Sequence, residues 1–433
     1  MSQNNQSGLG SALWSTWALL LGFGILMLGD GLQGTLLAVR ADQEGYSTTT
    51  TGLIMSSFYA GFLSGSIMTP RIMQQVGHIR VFAALAAMAS AAILVHAVFL
   101  DVAVWIGLRL ISGFCFAGLY VVAESWLNER ATNETRGKLL SLYMVVTYAG
   151  VGLGQLLLNL SDPQGYPLFV LTSVLISIAV VPLLLSASAT VQHEESVHIK
   201  LADLYRLSPL GVVGMFIEGF VTATFFALGP VYAQRLGLSL KEISYFMASA
   251  MVGTVILQWP IGALSDYFDR RVILTIVVLM TAAAAFACVP LSGGSTATLL
   301  LAVAVFAGLA LPLYSLCLAH TNDHLHPSQM IAASGTLVLI SGLGAVAGPL
   351  LVASIMDQFG HQGFFWSIGA AYLLTGIFAL YRMTRRTATP RNKQGATTPA
   401  AVHPSSVVIE SMQQYAKEEA LSENSVSPDE IDN

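Results

Sequence analysis

Long apolar runs separated by short clusters of polar and charged residues recur twelve times along this 433-residue chain. A bilayer core about 30 Å thick is crossed by roughly 20 apolar residues of helix rising 1.5 Å each. Windows of that length predict spans over 14–39, 51–70, 80–100, 102–127, 138–160, 166–186, 209–234, 242–262, 272–292, 296–319, 330–356 and 363–383. The pattern therefore predicts an all-α integral membrane protein.

Composition agrees, since 55% of residues are hydrophobic and only 10% charged, a balance that no soluble domain of this length could hide in one core. Residues 1–13 carry no Lys or Arg, and the first apolar run is too long for a signal-peptide core, so it is expected to remain as the first span. Of the 19 Lys and Arg, fifteen fall in segments on one side, including Arg71, Arg80, Arg130, Arg136, Lys138, Arg270, Arg271, Arg385 and Arg386. Only Arg40, Arg235 and Lys241 fall on the other, and Arg109 lies within a span. The excess of positive charge predicts that both termini are cytoplasmic, in an inner or plasma membrane. Cys115, Cys288 and Cys317 lie in three separate apolar windows, so neither a disulfide nor a metal site is expected of them.

A polar stretch with His193, Glu194, Glu195 and His198 divides the spans six and six. The expected organisation is a cytoplasmic N-terminus (1–13), a six-helix bundle (14–186), a cytoplasmic linker (187–208), a second six-helix bundle (209–383) and a disordered cytoplasmic tail (384–433). The halves look like copies. A shift of 192 residues lays Gly45-Tyr46-Ser47 over Gly237-Leu238-Ser239, and Pro70, Gln74 and Gly77 over Gly262, Asp266 and Asp269. A shift of 194 lays Gly154-Gln155 over Gly348-Pro349. Parallel six-span repeats about an axis along the membrane normal are a recurring transporter design, with the substrate near the midplane between them.

Between the eighth and ninth spans, Gly262-x-x-x-Asp266-x-x-Asp269-Arg270-Arg271 packs charge into a tight turn. It resembles the signature loop between the second and third spans of each half in the major facilitator superfamily. Gln258-Trp259-Pro260-Ile261-Gly262, Ala319-His320-Thr321-Asn322-Asp323 and Gly344 to Pro349 are similar to the YcaD-like branch of that family. The resemblance covers Trp14 to Met383 and implies two bundles related by pseudo-two-fold symmetry that rock in alternating access, with no chemical reaction on the substrate. On this reading Gly262 allows close helix approach, while Asp266, Asp269, Arg270 and Arg271 form a cytoplasmic latch. The first-half loop departs from the pattern, with Pro70 for the glycine and Gln74 for the aspartate.

Arg109-x-x-x-Gly113-x-x-x-x-Gly118 is similar to the family's fourth-span motif associated with proton coupling. A buried guanidinium keeps its charge and needs a partner or a wet cavity. Asp30 lies about 15 Å from the outer end of the first span and Arg109 about 10 Å below that of the fourth, so an Asp30–Arg109 pair broken by protonation is expected to drive the cycle. A static structural pair is the alternative. Glu218, near the middle of the seventh span, is either a second proton or cation site or a protonated hydrogen-bond donor.

Gln33, Gly113, Tyr120, Tyr148, Gln155, Thr222, Phe225, Gln258 and Tyr314 complete the expected cavity. His320, Asp323, His324 and His326 have spacings seen in metal sites, but a cytoplasmic loop favours solvated polar residues, so no metal and no cofactor are expected. Phosphate-loop, His-Glu-x-x-His and Gly-x-Ser-x-Gly signatures are missing, which disfavours an enzyme or an ATP-driven pump, and no nucleic-acid partner is indicated. The expected function is a monomeric, proton-coupled secondary transporter exporting a small amphipathic organic compound. Uptake of a small polar metabolite is the alternative, favoured if Gln33, Gln155, Asn159 and Gln258 converge. A non-transporting receptor signalling through the tail is the alternative of another class.

Overall fold

The computed structural model describes residues 9–130, 136–185, 200–325 and 327–385. The N-terminal octet, residues 186–199, His326 and the tail after Arg385, for which the sequence sets expectations, lie outside the described residues. The rest is helical: α1 (Leu9–Gln43), α2 (Thr48–Val76), α3 (His78–Val98), α4 (Val102–Arg130), α5 (Arg136–Leu157), α6 (Pro167–Ile178), α7 (Val180–Leu184), α8 (Leu201–Leu207), α9 (Pro209–Arg235), α10 (Leu240–Tyr267), α11 (Arg270–Leu291), α12 (Thr296–Ala310), α13 (Leu313–Asn322), α14 (Pro327–Phe359) and α15 (Gly363–Arg385).

The elements follow the expected spans with four differences. The first helix begins at Leu9 rather than residue 14. The tenth span breaks at Leu311-Pro312, where proline has no N–H to continue the ladder, and the sixth breaks at Ala179. A one-turn-plus helix, α8, occupies the end of the expected linker.

Eleven segments among the described residues are long and apolar enough to cross a membrane, and α2 is the expected span that is not among them. Its polarity has a packing reason. Thr48, Thr51, Ser56, Ser57, Ser66 and Thr69 are buried because α2 lies between α4 of its own bundle and α14 of the other.

The repeat is visible in the caps. Gly45 and Gly237 both take a left-handed conformation (φ 80° and 79°), ending α1 and α9. Two residues later Ser47 and Ser239 each accept a hydrogen bond from the third residue of the next helix. Packing repeats too: α1 against α5 and α2 against α4 in the first bundle match α9 against α14 and α10 against α12 in the second. The bundles meet along α2–α14, α5–α10 and α1–α9.

Small residues set these contacts. A methyl group on Gly113 would collide with the Phe58 carbonyl of α2, so Gly113 is a packing residue and not a cavity wall. Gly262 is the reverse case, because a methyl group there meets nothing within 4 Å, and the expected close helix approach is absent. Gly113→Ala should therefore destabilise by about 1–3 kcal/mol through overpacking, whereas Gly262→Ala should be neutral or slightly stabilising. Thermal unfolding of the two variants in detergent checks this; equal midpoints would refute it.

Candidate functional site

Asp30 of α1 and Arg109 of α4 open into one small cavity of about 40 Å³, shared with Thr35, Tyr59, Gln155 and, from the second bundle, Phe226. It has room for a few waters. The expected direct Asp30–Arg109 pair is not made. Asp30 accepts a 3.4 Å hydrogen bond from Tyr120 Oη, while the Arg109 guanidinium lies 4.2 Å from the centre of the Phe58 ring. The reason is the tight α2–α4 seam at Gly113, which brings Phe58 beneath the guanidinium as a cation–π partner. Arg109 Nε is buried without a hydrogen bond.

Glu218 of α9 borders a second cavity of about 50 Å³, with Tyr59, Ser66, Thr222, Tyr314 and Ser341. Its carboxylate accepts from Thr222 Oγ1 at 2.7 Å and Ser341 Oγ at 3.5 Å. No cation is paired with it among the ion pairs described.

These two acids lie on corresponding helices one turn apart, since the 192-residue shift lays Asp30 over Thr222. Asp30-Gly31 and Glu218-Gly219 stand 188 residues apart. Gly31 packs against the Val151 carbonyl of α5 and Gly219 against the Ser341 carbonyl of α14, so each acid sits beside the same seam of its own bundle. Tyr59 of α2 borders both cavities and donates to the Ala223 carbonyl at 3.4 Å, so one side chain stands between them.

Tyr148, Gln258, Gly262 and Asp266 are brought together elsewhere, around a third cavity of about 350 Å³ between α5, α10 and α13. The remaining candidates separate. Phe225 is core, ringed by Phe246, Phe306 and Phe364. Gln33 is buried with both amide atoms unpartnered and borders none of these cavities. Gln155 is tied to Thr35 Oγ1, and Asn159 donates to its own turn at the Leu156 carbonyl, so the four amides do not converge.

The charged loop is a hub within the second bundle. Arg270, 1% exposed, donates to Asp323 at 2.6 Å, Asp266 at 3.2 Å, Ser265 at 3.2 Å and the Ala319 carbonyl at 3.3 Å, joining the ends of α10, α11 and α13. Asp269 caps α11 by accepting from Arg271 N. In the first bundle His78 reaches α4 at Ser125, 3.2 Å away, in the corresponding place.

Bonds across the bundles appear at the opposite end. Arg235 of α9 pairs with Asp42 of α1 at 3.4 Å and Asp357 of α14 at 3.7 Å. Asp357 in turn accepts from Thr48 N at 3.1 Å, Thr49 N at 2.7 Å and Thr49 Oγ1 at 2.6 Å, so a carboxylate of one bundle caps helix α2 of the other. Neither Asp357 nor Tyr59 was a sequence candidate. Both lie at positions whose partners are some 160 to 310 residues away, beyond any spacing rule. The signal that could have found them was the excess of Thr and Ser in α2, which marks a helix facing protein rather than lipid.

Eleven apolar spans and the more polar α2, arranged in two pseudo-symmetric bundles with small cavities between them, define the architecture of a membrane transporter. The sequence profile of the Major Facilitator Superfamily matches residues 19–249 and 210–413, and the chain belongs to that family. It is similar to the uncharacterized MFS-type transporter YcaD of Escherichia fergusonii, 27% identical over 374 residues, which span 86% of this chain and 96% of the relative. The YcaD protein of Escherichia coli O6:K15:H31 is 28% identical over 361 residues, 82% of this chain and 93% of the relative. Among solved structures, the nucleoside transporter NupG superposes with a TM-score of 0.72 at 14% identity, covering 86% of this chain and 99% of that one. A bacterial homologue of the human lysosomal transporter Spinster, inward-facing and unoccupied, gives 0.67 at 13% identity, covering 95% and 98%. These likenesses establish the fold.

Proposed function

We propose that the protein is a monomeric, proton-coupled secondary transporter that exports a small amphipathic organic compound across the inner membrane. Residues 14–186 and 209–383 would move as two bodies joined by the linker 187–208. The observation that carries this reading is the pair of carboxylates on corresponding helices, Asp30 half-buried and Glu218 buried, each in its own cavity without a directly bonded cation. A buried carboxylate is costly to keep charged, so such groups gain and lose protons when their surroundings change. Arg109, unable to lose its charge, would feel the change at Asp30 across the shared cavity.

The excess of Lys and Arg favours a cytoplasmic Asp266–Arg271 end, which places the Arg235–Asp357 bonds on the outer side. The structure would then be the outward-closed state. Export is preferred over polar uptake because the amides are scattered and the 350 Å³ cavity has mainly apolar walls. The test is accumulation in proteoliposomes of compounds first selected by thermal shift. An acidic lumen should drive uptake into the vesicle by exchange with protons, and accumulation indifferent to the gradient would overturn the reading.

A further inference from the structure

Five helix ends converge on a pocket of about 20 Å³ at the end of the second bundle that carries the Asp266–Arg271 loop. Its walls are residues 207–210 at the joint of α8 and α9, Arg271 of α11, His320 of α13 and Arg382 of α15. A space of that size admits about one oxygen-sized group. Ser208 precedes α9 in the position from which a serine ordinarily caps a helix. Ser47 and Ser239 do so from extended backbone, with ψ at 157° and 159°. Ser208, with ψ at 74°, makes no cap bond, and although it is only 1% exposed its Oγ has no hydrogen-bond partner. Pro209 supplies no N–H, so Leu210, another wall of the pocket, offers the first amide of a 27-residue helix, without a side-chain cap.

The groups around this buried hydroxyl are donors. Arg382 is partly exposed at the mouth and has no ion-pair partner among the described residues. Arg271 lies 3.6 Å from Asp269, so its charge is compensated, and the site needs no charge from it or from the histidine. No carboxylate lines the pocket among the described residues. An uncapped helix start, an unpartnered hydroxyl and a guanidinium together suit an oxyanion, whose oxygens accept from all three. The surroundings place the pocket at headgroup level. Leu201 and Tyr205 of α8 are exposed, as is Tyr381 next to Arg382, and the Arg385 guanidinium lies 5.3 Å from the Tyr381 ring. Exposed tyrosines beside arginines at the ends of spans belong to the membrane–water interface.

We propose that this pocket is a phosphate site, filled from the bilayer by the headgroup of an anionic phospholipid. One phosphate oxygen enters between Ser208 Oγ and the start of α9, and Arg382 closes over the others. Every wall belongs to the second bundle, so occupancy ties the ends of α9, α11, α13 and α15 together and stabilises that bundle. The inference goes beyond the transport reading and does not depend on it, since binding is measured without flux.

The delipidated full-length protein in detergent is titrated with phosphatidylglycerol, with phosphatidylcholine of the same acyl chains and with soluble glycerol 3-phosphate. Bound lipid is counted by native mass spectrometry and the thermal midpoint is followed alongside. One phosphatidylglycerol per chain, held at least tenfold more tightly than phosphatidylcholine and raising the midpoint, is expected. Arg382→Gln should weaken it at least tenfold, and Ser208→Ala about fivefold, the worth of one hydrogen bond. Because Ser208 Oγ has no partner within the protein, Ser208→Ala should leave the midpoint of the lipid-free protein unchanged. Arg385→Gln removes the same charge from an exposed position on the same helix end that is no wall of the pocket, and should leave binding unchanged. Equal affinity for the two lipids, equal losses in Arg382→Gln and Arg385→Gln, or unchanged binding in both Arg382→Gln and Ser208→Ala would overturn the proposal. Stabilisation by glycerol 3-phosphate that matches the lipid and is lost in Ser208→Ala would uphold the phosphate site and overturn the bilayer as its source.

Discussion

Asp30→Asn should abolish accumulation driven by a pH gradient, by at least fiftyfold, while leaving downhill substrate exchange within a few-fold of wild type. Asparagine keeps the shape of the carboxylate and can still bond Tyr120, whose hydroxyl also contacts Met27 Sδ at 2.9 Å. What it removes is the proton-binding group. Stability supplies a second reading of the same variant. Breaking one side of a buried ion pair costs about 3–5 kcal/mol, because it leaves a charge without a partner. Here Arg109 already lies on Phe58 rather than on Asp30, so the thermal midpoint of Asp30→Asn should stay within a few degrees of wild type. A large loss of stability with coupling intact would restore the static pair and remove Asp30 from the proton path.

The second large effect is expected at the opposite end. Asp357→Ala removes three hydrogen bonds that cross from α14 to the start of α2, together with the ion pair to Arg235. Losing a helix N-cap costs about 0.5–2 kcal/mol and a partly exposed ion pair about 0.2–1 kcal/mol. Only the cap crosses between the bundles, because Arg235 and Asp357 both belong to the second, so the closed state should lose about 0.5–2 kcal/mol relative to the open one, a roughly two- to thirtyfold shift in population. Spin labels at Gln43→Cys and Lys241→Cys, exposed on opposite bundles, read this directly by double electron–electron resonance. The native Cys115, Cys288 and Cys317 are buried and would be replaced for the measurement. An increase in the longer distance is expected in Asp357→Ala, and an unchanged distribution would show that the contact does not hold the gate.

The contrast between these two sites explains what the sequence could disclose. Spans were legible because lipid imposes length and apolarity on each helix separately, and the halves were legible because Gly45–Ser47 and Gly237–Ser239 repeat a local cap that depends on a few adjacent residues. Asp30, Arg109 and Glu218 stood out because an ionisable residue within an apolar run is rare. Their partners did not. Whether Arg109 meets Asp30 or Phe58 is decided by how closely Gly113 lets α2 approach α4, a tertiary distance that no single-helix pattern contains. Gly262 misled for the same reason: a glycine in a motif suggests close packing, yet its neighbours here leave open space. The Asp266 loop was recognised as charged and compact, but Asp323, which pairs with its Arg270, comes from the end of another helix and lies beyond any local spacing.

Counting protons against substrate is the decisive measurement. In proteoliposomes loaded with a pH-sensitive dye and given an acidic lumen, addition of the transported compound to the wild-type protein should raise the lumenal pH in fixed proportion to substrate taken up. The combined Asp30→Asn and Glu218→Gln variant should move substrate downhill with no accompanying pH change. Substrate transport by the wild type without proton movement, or an undiminished proton signal in the double variant, would contradict proton coupling through these two acids.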